Sequence, residues 1–110
     1  MFEIDNYRII MKRNSDSIYL EIYDMIKFNF IKYIKTINDI SEFPHLSSLD
    51  QLYDRLNKMF GQNTISFKGN SVDFNIKIKL LNEQLILNFD IYYKKMNSFN
   101  EKFNIIINRE

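Results

Sequence analysis

The sequence predicts an α+β fold dominated by antiparallel strands: a β-sandwich or half-barrel of about seven strands, with one amphipathic helix inserted after strand three. Three observations carry that expectation. Apolar and polar residues alternate over several stretches, which is the period of a strand with one wet face. A single segment carries apolar residues at helical spacing between cap signals. The connections between strands are of hairpin length, so helical crossovers have no room and the pairing must be antiparallel.

In chain order, Tyr7, Ile9 and Met11 alternate with Arg8, Ile10 and Lys12, and Arg13-Asn14-Ser15-Asp16 supplies the polar cluster of a turn. Ile18, Leu20 and Ile22 then alternate with Tyr19, Glu21 and Tyr23, placing aliphatics on one face and a Tyr-Glu-Tyr row on the other. Residues 25–37 admit two readings. Ile26, Phe30, Tyr33, Ile34 and Ile37 would line one helix face, while the aromatic and β-branched content suits a strand. A strand over about 29–36 is preferred, because apolar residues cover both faces of any helix drawn there and no cap residue opens it.

After Pro44 the pattern becomes helical. Ser48 and Gln51 form a capping box, and Asp50 sits in the first turn, where the helix dipole favours an anion. Leu49, Leu52, Tyr53, Leu56, Met59 and Phe60 make one stripe, and Asp50, Asp54, Arg55, Asn57 and Lys58 are assigned to water. Gly61 reads as the left-handed stop of a three-turn helix over 48–60. Beyond it everything reads as strand. Ile65 and Phe67 precede a Gly69-Asn70 turn, and Val72, Phe74, Ile76, Ile78 and Leu80 alternate with Ser71, Asp73, Asn75, Lys77 and Lys79. The chain turns at Asn82-Glu83, Leu85, Leu87, Phe89, Ile91 and Tyr93 repeat the alternation, and residues 94–98 form a longer polar turn. Phe103, Ile105 and Ile107 belong to a closing strand.

A chain of 110 residues with 45% hydrophobic and 26% charged content is expected to be one globular domain, 1–110. The absence of cysteine excludes disulfide frameworks, thiolate nucleophiles and cysteine-based metal centres. A formal net charge of +1 gives no long-range field toward nucleic acid or anionic lipid. Apolar runs such as 105–107 are far below the roughly 20 residues a membrane helix needs, and the opening MFEIDNYRII lacks the basic and apolar stretches of a signal peptide. An intracellular, non-secreted, non-membrane protein is expected. Alanine is absent and valine occurs once, while Ile, Asn, Lys and Phe abound, a codon bias of an AT-rich genome.

His45 is the lone histidine and only two glycines are present, so two-histidine metal motifs, Walker A loops and dinucleotide fingerprints cannot be written. No Gly-x-Ser-x-Gly elbow accompanies His45, and the carboxylates Asp50, Asp54 and Glu21 read as cap, surface charge and wet-face residue. The expectation is a non-enzyme without a cofactor or metal. Tyr19, Tyr23, Tyr92 and Tyr93 offer contact area with a polar handle, and with Lys77 and Lys79 they form the candidate interaction surface. The expected function is a protein-interaction or assembly scaffold, with a protein partner or homodimeric self-association. The alternative is a small nucleic-acid-binding β-domain, in which Lys77 and Lys79, with Lys94, Lys95, Lys12 and Arg13 near strand ends, contact phosphate while tyrosines stack on bases.

The segments SIYLEIYD, FIKYIKTINDI, LSSLDQLYDRLNKMF, FNIKIKLLNEQLILNFDIYY and EKFNIIINRE resemble a family of uncharacterised β-rich head domains from giant nucleocytoplasmic DNA viruses, over residues 17–109. That arrangement is in turn similar in shape to the head domains of end-joining scaffolds and centriolar cartwheel proteins. The resemblance implies a small β-barrel head with an inserted helical element, usually followed by a dimerising stalk, and no catalytic residue to carry over. Here no heptads follow the last strand, so the head is expected either to work alone or to pair directly through a sheet edge or the Tyr-bearing face.

Overall fold

The computed structural model describes residues 1–26, 31–43, 46–61, 65–67, 70–93 and 99–110. The elements are β1 (Phe2–Ile4), β2 (Tyr7–Arg13), β3 (Ile18–Asp24), β4 (Lys32–Ile37), α1 (Leu49–Gly61), β5 (Ile65–Phe67), β6 (Asn70–Leu81), β7 (Gln84–Tyr93) and β8 (Phe99–Arg109). The strands form one eight-stranded antiparallel sheet in the order β1-β2-β3-β4-β8-β7-β6-β5, curled into a half-barrel with α1 packed on its concave face. The α+β half-barrel expected from the alternation is therefore present.

The helix follows the fourth strand rather than the third. The added strand is β1, three residues that pair with β2 across a tight turn in which Asp5 adopts φ 52°. Three residues are too few to display a period, although Asp5-Asn6 carries the chemistry of a turn that needs positive φ. Residues 32–37 are strand, which resolves the two readings of that region; the expected beginning of this strand, 29 and 30, lies outside the described residues, as do Gly69 of the expected Gly69-Asn70 turn and the expected turn at 94–98. Asn70 is already in β6, opposite Phe67.

Two four-stranded meanders, β1–β4 and β5–β8, meet at a short seam. β4 and β8 pair only at Tyr33–Arg109 and Ile34–Asn108, extended by the Glu110 amide donating to the Lys32 carbonyl at 3.0 Å. Beyond the seam the strands part, and a cavity of about 130 Å³ lies between Thr36, Ile37 and Ile105, Ile106, beside loop residues Asp39 and Phe43.

The helix is held by its ends and its stripe. The Gln51 backbone amide donates to Ser48 Oγ at 3.2 Å as the capping box requires, but the Gln51 side-chain Oε1 accepts from the Ser47 backbone amide and hydroxyl, both at 2.9 Å, instead of from the Ser48 amide. Leu52, Leu56, Met59 and Phe60 are buried against the sheet. Phe60 sits 5.7 Å from the ring of Phe2 and 6.0 Å from that of Phe89, tying the helix end to both halves; Phe89 and Phe103 stack at 4.5 Å. Gly61 is the last helical residue and its φ is not left-handed; a Cβ there would come within 3.2 Å of the Phe2 ring, so close approach rather than a left-handed stop suits glycine.

Arg55 corrects the expectation that it faces water. It stands three residues after Leu52 and four before Met59, inside the apolar stripe, and is 7% exposed. A helix lying in a curved sheet is contacted over a wider arc than one lying on a flat sheet, so the stripe's flank is buried too.

Candidate interaction surface

The open edge of β6 follows from turn chemistry. Asn82 and Glu83 have φ of 50° and 65°, the conformation of a type I′ turn whose flanking residues, Leu81 and Gln84, form a hydrogen-bonded pair. Bonding then alternates along the ladder, so the amides and carbonyls of Val72, Phe74, Ile76, Ile78 and Leu80 point away from β7. β5 covers only the first three residues of this twelve-residue strand. Among the described residues, no strand lies against 73–81 on that side.

The side chains on this edge are incompletely covered as well. Phe74, Ile76 and Ile78 are half-buried, whereas their partners on β7, Ile91, Phe89 and Leu87, are sealed in the core. A groove of about 460 Å³ runs beside Phe74 and Ile76, bounded across the opening by Glu3 and Ile4 of β1 and floored by Met59 and Phe60. The two outermost edges of the curled sheet thus face each other across an apolar floor.

On the convex face, Lys77 and Lys79 of β6 are exposed, and the register places Lys77, Asn88 and Asn104 in one cross-strand row and Asn75, Asp90 and Lys102 in the next. These residues line a shallow depression of about 280 Å³. Tyr92 stands on the same face, 42% exposed.

The structure divides the six candidate residues. Lys77, Lys79 and Tyr92 share the outer face of the second meander. Tyr19 and Tyr23 are half-buried on the outer face of β3, across the seam. Tyr93 is on the concave side, where its hydroxyl donates to Glu101 Oε2 at 2.6 Å, so it does not extend the surface of Tyr92. Lys12 is exposed on β2, and Arg13 is engaged with Asp50 at 3.1 Å; Lys94, Lys95 and His45 lie outside the described residues. Lys102 was not among the sequence candidates, although its even numbering, opposite in phase to Phe103 and Ile105, assigns it to the wet face.

Among the described residues Glu21, Asp24 and Glu101 are the buried carboxylates, and each of the two glutamates is paired with a cation. Glu101, 7% exposed, is bridged at 2.8 Å by Arg55 Nη1. Burial and the bond to Glu101 push the Tyr93 phenol up to about 12. Glu21, 9% exposed, meets Lys32 Nζ at 2.6 Å and accepts from the Tyr23 hydroxyl at 2.9 Å. The bond from Lys32 holds the Glu21 carboxyl below its ordinary range and raises the lysine, while Glu21 raises Tyr23. Both clusters are closed: each carboxylate already holds a cation and a hydroxyl. Among the described residues, no group of three or more His, Cys, Asp or Glu is placed to hold a metal ion, and no helix is long and apolar enough to cross a membrane.

No protein-family model, curated protein or solved structure matches this chain.

Proposed function

We propose that this chain is a non-enzymatic protein-interaction or assembly module that accepts a β-strand along the open edge of β6. The single observation behind this reading is the run of edge-facing backbone groups over 73–81, coinciding with the half-buried row Phe74, Ile76 and Ile78. Main-chain groups of an added strand would satisfy the first, and its alternate side chains would cover the second. Lys77 and Lys79 flank the edge on the wet face, where lysine limits indiscriminate pairing without preventing a matched partner. Proline in place of Ile78 tests this. The Ile78 amide points off the edge, so the fold itself does not use the donor that proline removes. Partners captured by the wild-type chain should be lost by Ile78→Pro with its circular dichroism unchanged; undiminished capture by the variant would reject the edge.

A second reading, a small nucleic-acid-binding β-domain, is favoured by Lys102 joining Lys77 and Lys79 around the depression, with Tyr92 nearby as a stacking platform. Contacts from these lysines to a single strand would give a log–log salt slope of about −2, and binding that ignores salt would remove this reading.

A further inference from the structure

We propose that the strand received by β6 is β6 of a second copy of this chain, paired antiparallel about a two-fold axis at Ile76, which rests on the reading of this edge as the docking strand. Hydrogen-bond alternation restricts a symmetric ladder to registers in which even-numbered residues meet even-numbered residues. Charge then separates the choices. Centred on Lys77, the ladder sets Lys77 against its own symmetry mate; centred on Ile78, it sets Lys77 against the partner's Lys79. Centred on Asn75, Asp73 meets the partner's Lys77, but β5 of each copy stops the ladder after residues 73–77. Centred on Ile76, the ladder runs over 73–79, with Asp73 facing the partner's Lys79 and Asn75 facing the partner's Lys77.

This is the longest of these registers without a like-charge pair. Its charged pairs also fall at non-hydrogen-bonded positions, where opposing side chains come closest. On the concave side, Phe74 meets the partner's Ile78 and Ile76 meets its own mate, so the half-buried row is covered from the side of the groove over Met59 and Phe60. The two half-barrels join into one continuous sheet, and the edge is paired over 73–79.

Sedimentation equilibrium of the 110-residue chain and four samples tests both the register and the edge. The wild type should dimerise reversibly. Asp73→Lys and Lys79→Asp each turn two attractive pairs into repulsive ones and should weaken the dimer about tenfold or more. Mixed together they should form a heterodimer, because every facing pair is again of opposite charge; this complementation cannot arise from misfolded variants. Ile76→Pro should be monomeric. A wild type that stays monomeric at millimolar concentration overturns self-pairing and leaves the edge to another protein, to be judged by the Ile78→Pro capture. A dimer broken by Ile76→Pro yet indifferent to the charge variants overturns the register. A dimer that survives Ile76→Pro overturns both the inference and the edge reading beneath it.

Discussion

Each half of the sheet holds one nearly buried glutamate clasped by a cation and a tyrosine hydroxyl, and the two clasps sit on opposite faces. In the second meander, Glu101 points inward to Arg55 and Tyr93; in the first, Glu21 points outward to Lys32 and Tyr23. The carboxylates are buried alike, but the cations are not: the Arg55 side chain is 8% exposed and that of Lys32 is 28%, with Glu110 as a second partner at 3.4 Å. Thus the same set of groups is sealed beneath a helix in one half and remains in contact with solvent in the other. Water can replace a lost partner of Glu21 but not of Glu101, so the inner clasp fixes the seat of α1 on β8, whereas the outer one trims a wet surface.

Removing the inner cation should therefore have the largest effect. Arg55→Met leaves Glu101 buried without its cation and, among the described residues, with the Tyr93 hydroxyl as its partner, a loss of about 3–5 kcal/mol in urea unfolding. Adding Glu101→Leu should recover most of that loss, because the uncompensated charge is gone. The comparison fails if Arg55→Met costs no more than Lys32→Met does, since that would put both clasps in the same dielectric surroundings.

How much of this was legible depended on range along the chain. The β6–β7 hairpin shows a period of two along most of its length, and Phe103, Ile105 and Ile107 repeat it in β8, so these faces could be assigned at once. The helix was equally plain from Ser48, Gln51 and its stripe. The inner clasp was not, because Arg55 and Glu101 are 46 positions apart and isolated charges default to water. Yet the phase of each was available: Glu101 continues the inward series Phe103, Ile105, Ile107, and Tyr93 ends the series Leu85 to Ile91. Two charges of opposite sign on core-facing positions are a pairing signal. The open edge of β6 leaves no such trace, since alternation says which way a side chain points and nothing about which strand lies alongside.

Alkali should probe the inner clasp through Tyr93. Its folded phenol is pushed from the ordinary 10.0 to about 12, so the native state favours the neutral form and the unfolded state loses its proton first. The contribution is complete below pH 10 and declines as pH rises from 10 through about 12. Chemical denaturation across that window should show stability falling more steeply for wild type than for Tyr93→Phe, which has no proton to lose. Equal slopes would mean that burial and Glu101 together do not hold the phenol neutral in the folded state.

Acid should probe the outer clasp, with the opposite sign and a smaller effect. Lys32 holds the folded Glu21 carboxyl below its ordinary 4.5, so the unfolded chain binds this proton more readily than the native one. The stabilisation is present above pH 4.5 and is lost as pH falls through the lowered folded value. Glu21→Gln should flatten that part of the stability profile. Because Lys32 remains in contact with solvent, added salt should flatten it too, and the two treatments should not add. A salt-insensitive acid slope that vanishes with Glu21→Gln would place Glu21 in surroundings as dry as those of Glu101, and the distinction between the two halves would then rest on the open edge of β6 alone.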